Sequence, residues 1–331
     1  MSTYTIREMQ KDDDLSALEA WNEVFARAGG AAPRTTNDWG WAYEANPAGR
    51  RACVALRENR VVALYAARPV RVIVDGAEHT FGQIVDSLVL PDHRAGLRRP
   101  GLFVEVGRGF FDSFGARGRD LAYFGWPVEA AWRAGERFLS YGTLRQEIVL
   151  AREVGGAPDA ASAAPRGVER VERFGDDARA LYDRCRGAFG ASAIRDARWL
   201  EWRLAPRPGV EYRRFGVRAA DGSLRGYAIQ RSCAFLMESS SVLVDWLVPH
   251  DDPEAAELLL EAVLHQSRVD GCLVACGLVP PWSPWFTWFQ QRGFRAHPSH
   301  HVMSARSFHA EYDLDWLREH FWYQWIDSDL V

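Results

Sequence analysis

At 331 residues the chain is long enough for two ordinary domain cores. Hydrophobic residues at 47% and charged ones at 25% describe a globular composition and exclude wholesale disorder. A formal net charge of -4 supplies no overall field for nucleic acid or an anionic membrane, so any basic site has to be local.

The first residues, Met1-Ser-Thr-Tyr4-Thr-Ile-Arg-Glu8, hold no basic stretch leading into an apolar one, and no run of about 18 apolar residues occurs later. A cytoplasmic protein with no membrane partner is expected. Cys53, Cys185, Cys233, Cys272 and Cys276 are odd in number and dispersed, which predicts free thiols. Asp38-Trp-Gly-Trp41 is followed after five residues by Pro47-Ala-Gly49. Val61-Val-Ala-Leu-Tyr65-Ala-Ala then alternates as a strand after a charged turn, and Ile84-Val-Asp86-Ser-Leu-Val is an apolar strand carrying one aspartate. That strand ends near Leu90 and runs into Pro91-Asp-His-Arg94-Ala-Gly96-Leu-Arg98-Arg99-Pro-Gly101, after which Leu102, Phe103, Val106, Phe110 and Phe114 recur at helical spacing. Free N–H groups and the positive dipole end at a helix start make an anion site when small residues let the ligand approach. Gly96 and Gly101 supply that access, and Arg94, Arg98 and Arg99 suit a pyrophosphate or a 3′-phosphate. Residues 153–167, rich in Ala, Gly, Pro and Ser, read as a linker between a first domain, 1–152, and a second, 168–331.

The second domain repeats the first. Arg198-Trp-Leu-Glu-Trp202 with Pro208-Gly209 matches the tryptophan pattern at an offset of 161, and Leu224-Arg-Gly-Tyr227-Ala-Ile matches the Tyr65 strand at 162. Leu243-Val-Asp245-Trp-Leu-Val matches the Asp86 strand at 159, and Met303-Ser-Ala-Arg306 matches Val149-Leu-Ala-Arg152 at 154. The basic loop is not repeated. Its place is taken by Pro249-His-Asp251-Asp252-Pro253-Glu254, an aspartate cap with proline in the first helical turn, and those acids would repel a phosphate. One anion site per chain is implied. The tryptophans around Trp282, Trp285 and Trp288 read as core or domain interface, with a sugar- or aromatic-binding face as the alternative. His297, His300 and His301 read as loop histidines and the Cys272–Cys276 run as a buried strand, so no metal is expected. Trp322-Tyr-Gln-Trp-Ile-Asp327-Ser-Asp329-Leu-Val331 is an aromatic tail that docks, with acidic groups that are either solvated or directed at an acceptor amine.

Strand, loop and helix together resemble motif A of the GNAT acyltransferase superfamily, Arg/Gln-x-x-Gly-x-Gly/Ala after the fourth strand. The stretch from Arg94 to Gly101 is longer than the usual six-residue form, so Arg94-Ala-Gly96 and Arg98-Arg-Pro-Gly101 both remain candidates for the cradle. The resemblance implies an α/β (α+β) fold of two tandem GNAT-like domains, each a mixed, mostly antiparallel sheet flanked by helices, the second a degenerate copy. Asp120-Leu-Ala-Tyr-Phe-Gly-Trp-Pro127 looks like the fifth strand, which splays from the fourth to admit pantetheine, and residues 128–138 like the fourth helix. The acyl-CoA-binding residues implied are Leu88, Val89, Leu90, Arg94, Ala95, Gly96, Leu97, Arg98, Arg99, Pro100, Gly101 and Leu102, with backbone N–H groups near Val89 and Leu90 polarising the thioester.

Gln83 stands where many relatives carry a glutamate base and cannot replace it. Asp86 is the nearby carboxylate, its pKa open to elevation in an apolar strand, although Asp245 repeats it where the loop is missing and so points to structure instead. Tyr141 is the candidate general acid. The leading expectation is an N-acetyltransferase that uses acetyl-CoA as cosubstrate and a small-molecule amine as acceptor, in a cleft between the halves, with no nucleic-acid partner. Aminoacyl transfer from charged tRNA by a Fem-like protein, and a non-catalytic acyl-CoA-binding scaffold, are the alternatives. Oligomeric state is not encoded in any motif.

Overall fold

The computed structural model describes residues 4–27, 31–94, 100–116, 118–155, 165–206 and 209–331. The chain forms two compact units, and neither is one continuous stretch. The first takes Met1–Val72, Ala77–Arg145 and His301–Arg318; the second takes Ile73–Gly76, Gln146–His300 and Glu319–Val331.

In the first unit β1 (Thr5–Glu8) leads to α1 (Asp14–Trp21) and α2 (Thr36–Tyr43), then β2 (Arg51–Arg57), β3 (Arg60–Val74) and β4 (Ala77–Val89). α2 begins at a capping box in which the Thr35 hydroxyl accepts from the Asp38 amide at 3.2 Å while the Asp38 carboxylate accepts from the Thr35 amide at 2.8 Å. The hairpins joining β2 to β3 and β3 to β4 turn on Glu58-Asn59 and Asp75-Gly76, each pair with positive φ, as a turn matched to strand twist requires. α3 (Leu102–Phe114) then packs across β1 and β2, burying Leu102, Val106, Phe110 and Phe114 at the expected spacing. β5 (Ala122–Gly125) and α4 (Glu129–Phe138) follow, then β6 (Gly142–Glu153). β1, β2 and β3 pair antiparallel, and β4 lies parallel to β5.

The second repeat follows the same plan with β7 (Glu169–Arg170), α5 (Asp176–Cys185), β8 (Ala191–Ala193), α6 (Ala197–Arg203), β9 (Arg213–Arg218), β10 (Leu224–Cys233), β11 (Ser240–Leu247), α7 (Pro253–Val269), β12 (Val274–Gly277), α8 (Pro284–Gln291), β13 (Arg295–Ser307), α9 (Leu314–His320) and β14 (Phe321–Trp322). β9, β10 and β11 are antiparallel, and β12 runs parallel to β11 as β5 does to β4. Asp196 caps α6 from the position that Thr35 holds at α2, an offset of 161. One sequence match slips by a residue. Tyr65 packs on Phe103, Phe110 and Phe111 of α3, whereas Tyr227 packs on Phe174 and donates to Asp245, so the two tyrosines face opposite sides of their sheets.

The units differ from the expected division at residue 152 because the last strand of each repeat completes the sheet of the other unit. Residues 150–153 of β6 pair with Val274–Gly277 of β12, and Ser304–Ser307 of β13 pair with Ala122–Gly125 of β5. The repeated arginine on these strands does the same work twice. Arg306 donates to the carbonyl of Leu139, the C-cap of α4, at 3.0 Å, and Arg152 donates to the carbonyl of Arg292, the C-cap of α8, at 2.8 Å. Each brings a positive charge to a helix end whose carbonyls lack partners.

Candidate active site

In the first unit the parallel pairing stops at Gln83 opposite Phe124, while β4 continues to Val89. The strands part there. Asp86 lies beyond the divergence with φ +55°, an uncommon conformation for a residue with a side chain. Its carboxylate is only 6% exposed and accepts from Trp21 Nε1 at 3.0 Å, Arg34 Nη1 at 2.6 Å and the Tyr43 hydroxyl at 2.6 Å. Arg34 is held in turn by Asn22, which bonds both its backbone N–H and its carbonyl, and stacks 4.1 Å above Trp21.

The expectation of a raised Asp86 pKa is corrected by this cluster. Burial alone would raise it, but the charges of Arg34 and Arg68 and the hydrogen bonds from Arg34 and Tyr43 outweigh burial and hold the carboxyl below its ordinary range. A carboxylate so stabilised is a poor proton acceptor at neutral pH, and its three bonds fix the bend in β4 instead. Arg34, Tyr43 and Trp21 were missed in the sequence. A signal existed for one of them, since Arg34 and Arg195 stand at the same offset of 161 as Trp41 and Trp202.

Leu88 and Val89 finish β4, and both are buried. Leu90 follows, and its N–H donates to the Val62 carbonyl at 2.9 Å, which removes that amide as a donor to a thioester. Arg94 folds back, its Nε donating to the Val89 carbonyl at 3.0 Å, and Tyr4 bonds His93 at 3.0 Å beside it. Ala95, Gly96, Leu97, Arg98 and Arg99 lie outside the described residues. Pro100 is exposed, and Gly101 is the N-cap of α3 in an extended conformation. Among the described residues no side chain caps this helix, and while the Val104 amide donates to the Gly101 carbonyl at 2.9 Å, the amides of Leu102 and Phe103 have no intrahelical acceptor and suit an anion.

The second unit closes both features. At α7 the Asp252 carboxylate accepts from the Ala255 amide at 3.1 Å and pairs with Arg225 at 2.6 and 2.8 Å, so the helix start carries its own anion. Beyond Gly277, where β12 leaves β11, Trp246 is fully buried against Trp285, Trp288 and Phe289 of α8. Of the tryptophan stripe, Trp285 is therefore core, Trp288 packs half-buried against it, and Trp282 is half-buried. Trp246 sits at the position of Ser87, both one residue after the repeated aspartate.

Tyr141 is wedged against Gly135 of α4 and the edge of Phe111, and burial pushes its pKa up although Arg306 opposes this. It shares no bonding partner with Asp86 among the described contacts, so the two candidates are not brought together by direct contact. In the tail, Asp327 is committed to Arg195 at 2.7 Å, and Arg203 binds the carbonyls of Ile326, Ser328 and Val331 at 2.8, 2.8 and 3.4 Å. Asp327 is thus a structural anion within the second unit, which answers the expectation that it might reach an acceptor. Among the described residues no group of His, Cys, Asp and Glu could hold a metal ion, and no helix is long and apolar enough to cross a membrane.

Against known proteins, residues 5–132 match the family described as an acetyltransferase (GNAT) domain. No curated protein matches the sequence. Among solved structures, one from Enterococcus faecalis V583, described as a conserved protein of unknown function and probable N-acyltransferase, aligns over 93% of this chain and 73% of its own at 14% identity and a TM-score of 0.68. A GCN5-related N-acetyltransferase from Anabaena variabilis ATCC 29413 aligns over 92% and 73% at 12% identity and a TM-score of 0.67. N-myristoyltransferase from Saccharomyces cerevisiae with bound myristoyl-CoA aligns over 92% and 82% at 14% identity and a TM-score of 0.57. At such identities the likeness is one of fold.

Proposed function

We propose that this chain, whose residues 5–132 match the GNAT acetyltransferase domain family, transfers an acetyl group from acetyl-CoA to the amine of a small molecule, at one site per chain. The observation that carries the reading is the asymmetry between the repeats. The first unit keeps an uncapped α3 and a serine where its strands part, while the second has an aspartate cap and a tryptophan plug.

In this mechanism the α3 amides, with Arg94 and the basic loop, hold the pyrophosphate, and pantetheine lies where β4 leaves β5. Attack by the neutral amine forms the C–N bond, and loss of the C–S bond releases coenzyme A as its thiolate. The protein's contribution is position and a polar surface for the oxygen that gains charge. Asp86 acts as a positioning residue through the β4 bend. The five unpaired cysteines fit a reducing compartment, and the cytoplasm is where we place the reaction.

A thermal-shift panel of acetyl-CoA, myristoyl-CoA and NAD tests the reading. A ligand that binds only the folded state adds about 2.7 kcal/mol at a hundredfold excess over its Kd. Stabilisation by an acyl-CoA, abolished by Gly101→Glu, is expected; a response to NAD alone would overturn the assignment.

A further inference from the structure

We propose that Ser87 is a catalytic residue of this site, its hydroxyl donating a hydrogen bond to the carbonyl oxygen of the acyl thioester. The inference rests on the acyl-CoA reading above. Ser87 directly follows Asp86, at the level where β4 has already left β5, and its Oγ is buried with no hydrogen-bond partner among the described residues. A hydroxyl withheld from both water and protein is a desolvation penalty that a ligand oxygen in the cleft would remove.

The repeat says which way this position faces. Trp246, its counterpart, turns away from the Asp245 cluster and toward α8, filling the second cleft. We carry that direction over to Ser87, which follows Asp86 as Trp246 follows Asp245 and lies past the end of the β4–β5 pairing. There the side chain is small and polar instead of large and apolar. The amide of Leu90 is already bonded to Val62, so the Ser87 hydroxyl supplies a donor that this amide cannot.

The chemistry balances with Ser87 as donor only. The amine lone pair forms the C–N bond, the carbonyl π pair moves onto oxygen, and that oxygen takes the hydrogen bond from Ser87. When the pair returns, the C–S bond breaks, the thiolate of coenzyme A leaves, and the ammonium proton passes to solvent. Ser87 keeps its proton throughout.

Acetyl-CoA labelled with carbon-13 at the carbonyl tests this without any acceptor, by isotope-edited infrared spectroscopy of the bound thioester. The wild-type protein is expected to lower the carbonyl stretching frequency. Ser87→Ala should bind acetyl-CoA, as its thermal shift reports, and return the band to the value in water, while Ser87→Thr should keep the lowered band. Once an acceptor is in hand, Ser87→Ala should lower kcat by about 100-fold at little change in KM, the usual effect of removing one such donor. An identical band in bound wild type and bound Ser87→Ala sinks this inference alone. Failure of the wild type to bind any acyl-CoA sinks the acyl-CoA reading and this inference with it.

Discussion

Asp86 and Asp245 occupy matching places in the two repeats, and their pKa values move in opposite directions because of what else is near. Asp86 faces Arg34 and Arg68 and is lowered against the pull of burial. Asp245 is fully buried between Arg195, Tyr227 and Gln324, but burial together with the second carboxylate, Asp327, raises it despite Arg195. The signs of their pH effects therefore differ. For Asp86 the stabilisation is present above the unfolded carboxyl value of about 3.9 and is lost as pH falls through the lower folded value. For Asp245 it is present below that unfolded value and is lost as pH rises through the raised one. Denaturant midpoints measured from pH 3 upward, in wild type and in Asp86→Asn and Asp245→Asn, should show opposite changes of slope in the two variants. Arg195 is the cation both buried acids share in the second unit. Arg195→Leu leaves two facing carboxylates without it and is expected to cost about 3–5 kcal/mol, read from the same titrations.

Between elements, the contrast on which the proposed function rests is local at one helix start and non-local at the strand ends. The Asp252 cap was legible in sequence because a cap and its helix are neighbours in the chain. The aspartate pair was legible as a repeat. The plug was not, because nothing in the order of residues says that Trp246 meets Trp285 and Phe289. The Tyr65 and Tyr227 match failed for a related reason: strand side chains alternate, so an alignment one residue adrift reverses the face. Placing the second unit's residue in the first tests the contrast. Ser87→Trp is expected to abolish the thermal shift given by acetyl-CoA while leaving the melting temperature without ligand within a few degrees. A retained shift would mean that the parting of β4 and β5 is not where the thioester lies. The cap has a separate prediction: Asp252→Ala should destabilise the second unit by about 1 kcal/mol in chemical denaturation and leave acetyl-CoA binding unchanged.

Across the whole molecule, the duplicated halves do not coincide with the two compact units. The linker is a clear boundary in composition, yet the residues on either side of it belong to one unit, since the end of β6 pairs with β12. Sequence offsets reveal which strands are equivalent but not which partner each one takes. A fragment of residues 1–152 would carry all of the candidate site and lack residues 301–318, leaving β5 as an unpaired edge and α4 without the Arg306 contact at its C-cap. That fragment is expected to aggregate or to lack cooperative unfolding. Residues 1–145 supplemented with a synthetic 301–318 peptide should recover a folded unit, with the amides of Ala122–Gly125 protected from hydrogen exchange only when the peptide is bound. Cooperative folding of 1–152 alone, with β5 amides protected, would show that the borrowed strand is dispensable and that the repeat is an independent domain after all.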